Sequence, residues 1–179
     1  MNPANNLILV GPMGAGKTCI GRRLAGRFGL RLADTDREIE QRAGASVSTI
    51  FECEGEAGFR ARERDTLAAL LQDDGLLLAT GGGAALDPDN RRLLRTRGFV
   101  VHLQVTPAQQ LERLARDRSR PLLARADRDE VLHELARVRG PLYAEIADLR
   151  FDTDHLTAAE AATALAHELE RCWQRGVAA

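Results

Sequence analysis

Long apolar runs are missing from this chain, and so is an excess of either charge. The run 7–10 is far too short for a signal-peptide core or a bilayer span, and the first six residues carry no basic side chain. A cytoplasmic location without membrane attachment is therefore expected. Lys and Arg total 25 against 26 Asp and Glu, a formal net charge of -1, so no global field recruits nucleic acid. Any phosphate binding has to be local. Aromatic residues make up only 4% of the chain, and none interleaves with the arginines of 117–127, which argues against a single-stranded RNA platform there. Cysteines are three, Cys19, Cys53 and Cys172, with no CxxC pair and no neighbouring histidine cluster. Neither a disulfide framework nor a zinc knuckle fits that spacing.

What the chain does have is 44% hydrophobic content in 179 residues, enough for one core, and 1–179 is expected to be a single domain. Strand-length apolar runs at 7–10, 31–33, 76–79, 99–103 and 149–151 alternate with segments of helical period at about 20–28, 50–71, 88–96, 108–116, 128–147 and 158–174. This alternation predicts an α/β fold, a parallel sheet flanked by helices, with all strand C-termini on one ligand-binding edge. The segment 117–127 follows neither period and contains Pro121, so it is expected to be a mobile loop.

The strongest local signal is Gly11-Pro12-Met13-Gly14-Ala15-Gly16-Lys17-Thr18, which matches G-x-x-x-x-G-K-[ST] between a strand run and a helix. Glycines let successive backbone N–H groups turn toward a phosphate, and the helix N-terminus adds partial positive charge. Lys17 can reach the β- and γ-oxygens of ATP, and the Thr18 hydroxyl can coordinate Mg²⁺. Many ATPases of this class end another core strand in a metal-organising Asp, but 76–79 runs into Thr80 and Gly81-Gly82-Gly83. Asp34 and Asp36, after the second strand, are the acids available for the metal and for a substrate hydroxyl. An alternative for this segment is helix capping, since Thr35 with Glu38 fits S/T-x-x-E.

These residues, with Phe59-Arg60, the glycine run, Arg120-Pro121-Leu122-Leu123 and Arg139 ahead of Pro141-Leu142-Tyr143, form an ordered series that resembles shikimate kinase over nearly the whole chain. The resemblance implies a three-layer P-loop kinase fold like that of the nucleoside monophosphate kinases, with a five-stranded sheet, a lid at about 113–127 and a substrate-binding segment at about 34–62. It implies phosphorylation of the shikimate 3-hydroxyl by ATP with Mg²⁺, and the expected partners are ATP and shikimate, on a monomer. Asp36 would accept a hydrogen bond from the attacking hydroxyl, a position from which it can act as general base, and Asp34 would hold Mg²⁺ through water together with Thr18. Gly14, Ala15, Gly16, Lys17, Thr18, Cys19, Arg113 and Arg120 would contact ATP, Arg120 as the lid arginine. Arg60 and Arg139 would clamp the shikimate carboxylate beside Gly81, Gly82 and Gly83. A gluconate-type or nucleoside monophosphate kinase shares the cradle and the lid, and Arg60 can alternatively be a solvated helix position paired with Glu56. His102, Tyr143 and Trp173 read as core residues, His102 with its polar atoms satisfied, and Arg137 as a decoy for Arg139.

Overall fold

The computed structural model describes residues 4–115 and 127–174. Five strands form one all-parallel sheet: β1 (Leu7–Val10), β2 (Arg31–Asp34), β3 (Leu76–Ala79), β4 (Phe99–Gln104) and β5 (Leu149–Asp152), in the order β2-β3-β1-β4-β5. β1 sits centrally, Leu9 opposite Ala79 on one side and Val101 on the other. Side chains alternate along each strand, so the two faces bury different sets. Leu7, Leu9, Leu77, Val101 and Leu103 face α1 (Lys17–Phe28) and α7 (Ala158–Cys172). Ile8, Val10, Leu76, Leu78 and Val100 face α3 (Val47–Leu70), α4 (Pro88–Arg97) and α6 (Arg128–Ile146). Both faces are covered over the three inner strands, which is why β1, β3 and most of β4 read as continuous apolar runs, whereas the edge strands β2 and β5 carry exposed positions. Each fully buried leucine contributes about 1.5–3 kcal/mol of transfer free energy.

Two differences from the sequence expectation bear on the site. The first is a helix that apolar periodicity does not mark, α2 (Thr35–Ala43), which buries only Thr35 and Ile39. The second is α3, which starts at Val47 under a Ser46 cap and breaks at Gly55 (φ 69°, ψ −176°). Ile39, Ile50 and Phe59 then lock α2 to both halves of α3 in a small cluster of their own. A further short helix, α5 (Pro107–Leu114), joins α6 through Met13, Leu114 and Leu132. Trp173 is a packing residue as expected: it is buried, and its indole N–H donates to the Ala4 carbonyl at 2.9 Å.

The N-terminal edge of the sheet is tied by Asn6, which is fully buried. Its amide donates to the carbonyls of Asp73 and Arg97 at 3.0 Å, and its oxygen accepts from the Leu76 N–H at 2.9 Å. The opposite edge carries the glycine-rich loop after β1, Asp34 after β2 and the glycine run after β3, so three chemistry-bearing segments meet there. Among the described residues no helix is long and apolar enough to cross a membrane.

Candidate active site

The cradle is a loop pressed against β4. Gly11 (φ 145°) passes so close that a Cβ there would lie 2.4 Å from the Leu103 carbonyl oxygen, which is backbone and cannot yield. Only glycine fits. From α5, buried Gln110 donates to the Met13 carbonyl at 2.8 Å. Arg113 donates to the Gly14 carbonyl at 3.0 Å and to the Thr153 hydroxyl at 3.1 Å, and also bonds the Thr153 carbonyl. The loop is therefore held in shape before any ligand arrives. Gly16 leads into α1 without a side-chain cap, leaving first-turn N–H groups for an anion. Ala15 is fully buried and spends its own N–H on the Pro12 carbonyl at 3.3 Å. The Lys17 ammonium donates to the carbonyls of Gly11 and Pro12 at 2.7 and 2.8 Å, folded over the loop it would share with a polyphosphate.

Beside this loop lies a cavity of about 220 Å³ whose wall includes Gly14, Lys17, Thr18, Cys19 and both Asp34 and Asp36. The Thr18 hydroxyl donates to one Asp34 oxygen at 2.6 Å. The other Asp34 oxygen accepts from the N–H groups of Asp36 and Arg37 at 3.1 and 3.3 Å. Asp34, not Thr35, caps α2, and the capping-box reading of Thr35 with Glu38 is overturned. Thr35 is fully buried, and its hydroxyl turns inward to the Ala79 carbonyl at 3.3 Å. A hydroxyl and a carboxylate side by side are hard oxygen donors suited to Mg²⁺, which keeps water and phosphate oxygens in its shell. No cluster of three or more His, Cys, Asp or Glu stands ready as a protein-only metal cage among the described residues.

A second cavity, of about 360 Å³, adjoins the first and shares Asp36, Gly81 and Gly82 with it. Arg60 enters from α3 and Arg139 from α6, and both guanidinium groups meet the glycine run. A Cβ on Gly83 would fall 2.2–2.5 Å from the Arg60 guanidinium atoms, and one on Gly82 would lie 3.4 Å from Arg139 Nη1. The missing side chains make the space that the two forks occupy. Arg60 does pair with Glu56, at 3.3 Å, yet that contact coexists with a place in the cavity wall. Arg137 is the decoy the spacing indicates: it is exposed and bonded to Glu134 at 2.6 and 2.8 Å.

Glu63 and Tyr143 at the site, and His102 in the core beside Tyr143, go beyond what the sequence offers. Glu63, one turn after Arg60, is fully buried and accepts from Arg60 Nη1 at 2.8 Å. Burial pushes its carboxyl up from the usual range, and Asp36 adds to this, against the pull of Arg60 and Arg139. The Phe-Arg-x-x-Glu spacing could have revealed the pair, but nothing in it reveals the burial. Tyr143 is more than packing, because its hydroxyl donates to the Gly82 carbonyl. Burial pushes that phenol up to about 12, so it stays a donor. His102 lies in the core with its ring 5.2 Å from Tyr143, but its Nδ1 has no hydrogen-bond partner, so the expectation of a satisfied histidine is corrected. Burial first, then Arg150 and Lys17, lower it to about 4 and keep it neutral. Arg120 lies outside the described residues, as does 116–126 of the expected lid.

Two adjoining cavities, one at a phosphate cradle and one gripped by paired arginines, fit a kinase for a small acid. A family model of shikimate kinase matches residues 13–170. The chain belongs to the shikimate kinase family. It is 62% identical over 175 residues to a shikimate kinase of Stenotrophomonas maltophilia, covering 98% of this chain and 97% of that one. A shikimate kinase of Xanthomonas oryzae pv. oryzae is 58% identical over 174 residues, with 97% of each chain covered. Among solved structures, shikimate kinase from Acinetobacter baumannii in complex with shikimate superposes with a TM-score of 0.88 at 44% identity, covering 95% of this chain and 93% of the other. The five-stranded parallel sheet between helices is thus the shikimate kinase P-loop fold.

Proposed function

We propose that this chain transfers the γ-phosphoryl group of ATP to the 3-hydroxyl of shikimate, forming ADP and shikimate 3-phosphate in the route to chorismate and the aromatic amino acids. The observation that carries this reading is the shared wall: Asp36 borders both cavities, with Lys17 and Thr18 on one side and Arg60 and Arg139 on the other. A hydroxyl bound by Asp36 would face the phosphate end of the nucleotide. The family match favours shikimate over gluconate or a nucleoside monophosphate as the acceptor.

In this reaction the 3-hydroxyl oxygen forms a bond to the γ-phosphorus, the bond from the γ-phosphorus to the ADP oxygen breaks, and the hydroxyl proton passes to Asp36. Positioning supplies most of the acceleration. Arg60 and Arg139 hold the carboxylate by paired charge-assisted bonds, fixing the ring's rotation so that one hydroxyl points at Asp36. The cradle amides and Lys17 hold the phosphate tail and offset the charge on its oxygens. Thr18, with Asp34 through water, would hold Mg²⁺, which would supply positive charge to offset that of the phosphates. Arg113, braced at the end of β5, would border the nucleotide base, and Arg120 would close over the phosphates as the lid arginine. The chain would act as a single-domain monomer in the cytoplasm.

The test is ADP release with Mg-ATP and shikimate, gluconate or AMP as acceptor. Shikimate is expected to stimulate release well above the water background, and gluconate and AMP are not. Stimulation by another acceptor and none by shikimate would overturn the assignment.

A further inference from the structure

Among the described residues Glu63 is the one fully buried carboxylate of the acid cavity, and the phosphoryl-transfer scheme gives it no step. One of its oxygens is bonded to Arg60 at 2.8 Å, while the other, Oε1, is buried without a hydrogen-bond partner. That orphaned oxygen lies 2.9 Å from the point where a Gly81 Cβ would stand, and Asp36 Oδ1 lies 2.8 Å from the same point. Two carboxylates therefore crowd one small region. An ionised carboxylate oxygen buried without a donor is costly, whereas a protonated one is not.

The charges around it leave little to hold a negative Glu63 once an acid is bound. On its own helix Arg60 faces it, and Glu56 already shares that guanidinium at 3.3 Å. From α2 comes Asp36, and Glu40 lines the same cavity. From α6 come Arg139 and the neutral Tyr143 hydroxyl. Asp36, Glu40 and Glu63 thus face two cations, Arg60 and Arg139, before any ligand enters. A carboxylic acid ligand adds a further negative charge on those same two arginines and expels water, and both changes disfavour the ionised form of Glu63.

We propose that Glu63 takes up a proton from solvent when the anionic substrate enters the cavity, so that capture of the acid is linked to protonation of a buried carboxyl. The proton adds to the orphaned Oε1, and the Arg60 fork is released from Glu63 toward the ligand carboxylate. The inference rests on the reading of this cavity as the shikimate site. Glu63 is thereby a positioning residue: it braces Arg60 in the empty site and yields it in the filled one.

The experiment is calorimetric titration of the whole chain with shikimate at pH 7 in buffers of different ionisation enthalpy. Binding is expected to take up roughly 0.3–1 proton per site, and Glu63→Gln, which keeps the shape and cannot ionise, should bind with uptake near zero. The neutral methyl ester of shikimate should bind without uptake to the unaltered chain. Zero uptake by the unaltered chain, or undiminished uptake by Glu63→Gln, overturns the proposal. Should that variant fail to fold, the pH dependence of shikimate affinity decides on its own: linked uptake makes the Kd rise with pH by the same fraction of a decade per unit, and a flat Kd refutes it. A chain that releases no ADP with shikimate fails the assignment of function, whereas one that turns it over without proton uptake fails only this inference.

Discussion

The two cavities of this molecule are built in opposite ways. The phosphate cradle comes mostly from one stretch of eight residues, shaped by backbone and braced by Gln110 and Arg113. The acid cavity is assembled from α2, the two halves of α3, the glycine run after β3, and α6. A polyphosphate is recognised through amides and a helix terminus, which any sequence of suitable turn geometry can present. A carboxylate on a particular ring needs side chains aimed from several directions, and only tertiary packing aims them. Asp36 lines both, and under the proposed function that overlap makes the two cavities one reaction site.

The comparison can be broken most severely at the overlap. Asp36→Asn is expected to lower kcat by about 10²–10⁴-fold, the ordinary range for a lost acid–base group, while leaving ATP affinity near normal. Steady-state kinetics with ATP titrations would show this, and unchanged turnover would remove Asp36 from the chemistry. Arg139→Lys keeps the charge and loses the planar fork. The expected result is an increase of about 10–100-fold in the KM for shikimate with the KM for ATP unaltered; a parallel rise in both would mean the cavities are not separable.

In the core, the buried ring of His102 on β4 is lowered to about 4. Its unfolded form takes a proton near pH 6.5 and the folded form does not until about 4, so the unfolded state binds more protons in that window. Stability therefore falls as pH drops from 6.5 toward 4, by about 2 kcal/mol between pH 7 and 5 from this residue. Urea unfolding at the two pH values should show His102→Leu with a smaller acid loss than the parent chain. The smallest expected effect sharpens the role of the glycine run. Gly83→Ala should keep the fold, because the clash is with the movable end of Arg60, yet raise the KM for shikimate about tenfold by displacing that fork. The melting temperature and KM read the two halves of that statement.

Much of this was legible in the residues. Continuous apolar runs reported the inner strands buried on both faces, and the spacing of Lys17 and Thr18 after three glycines reported the cradle, because both signals are local. The first helix of the substrate-binding segment carries no apolar period, since α2 buries only Thr35 and Ile39. Thr35 misled as a cap because S/T-x-x-E describes helix starts that face solvent, and this hydroxyl faces β3. Arg60 was ambiguous: its contact with Glu56 is real, and so is its place in the cavity.

By itself the sequence determined the parallel sheet, the edge that carries the chemistry-bearing loops and the glycine-rich loop after β1, because hydrophobic period and glycine geometry act over a few residues. Tertiary structure alone decided that Arg60 and Arg139, 79 positions apart in the chain, share one cavity. It also buried Glu63 against Asp36 and made Tyr143 a support for the glycine run. Those outcomes depend on how α3 and α6 pack across the same face of the sheet, and a one-dimensional pattern records which face of a helix is apolar but not what its polar residues will meet.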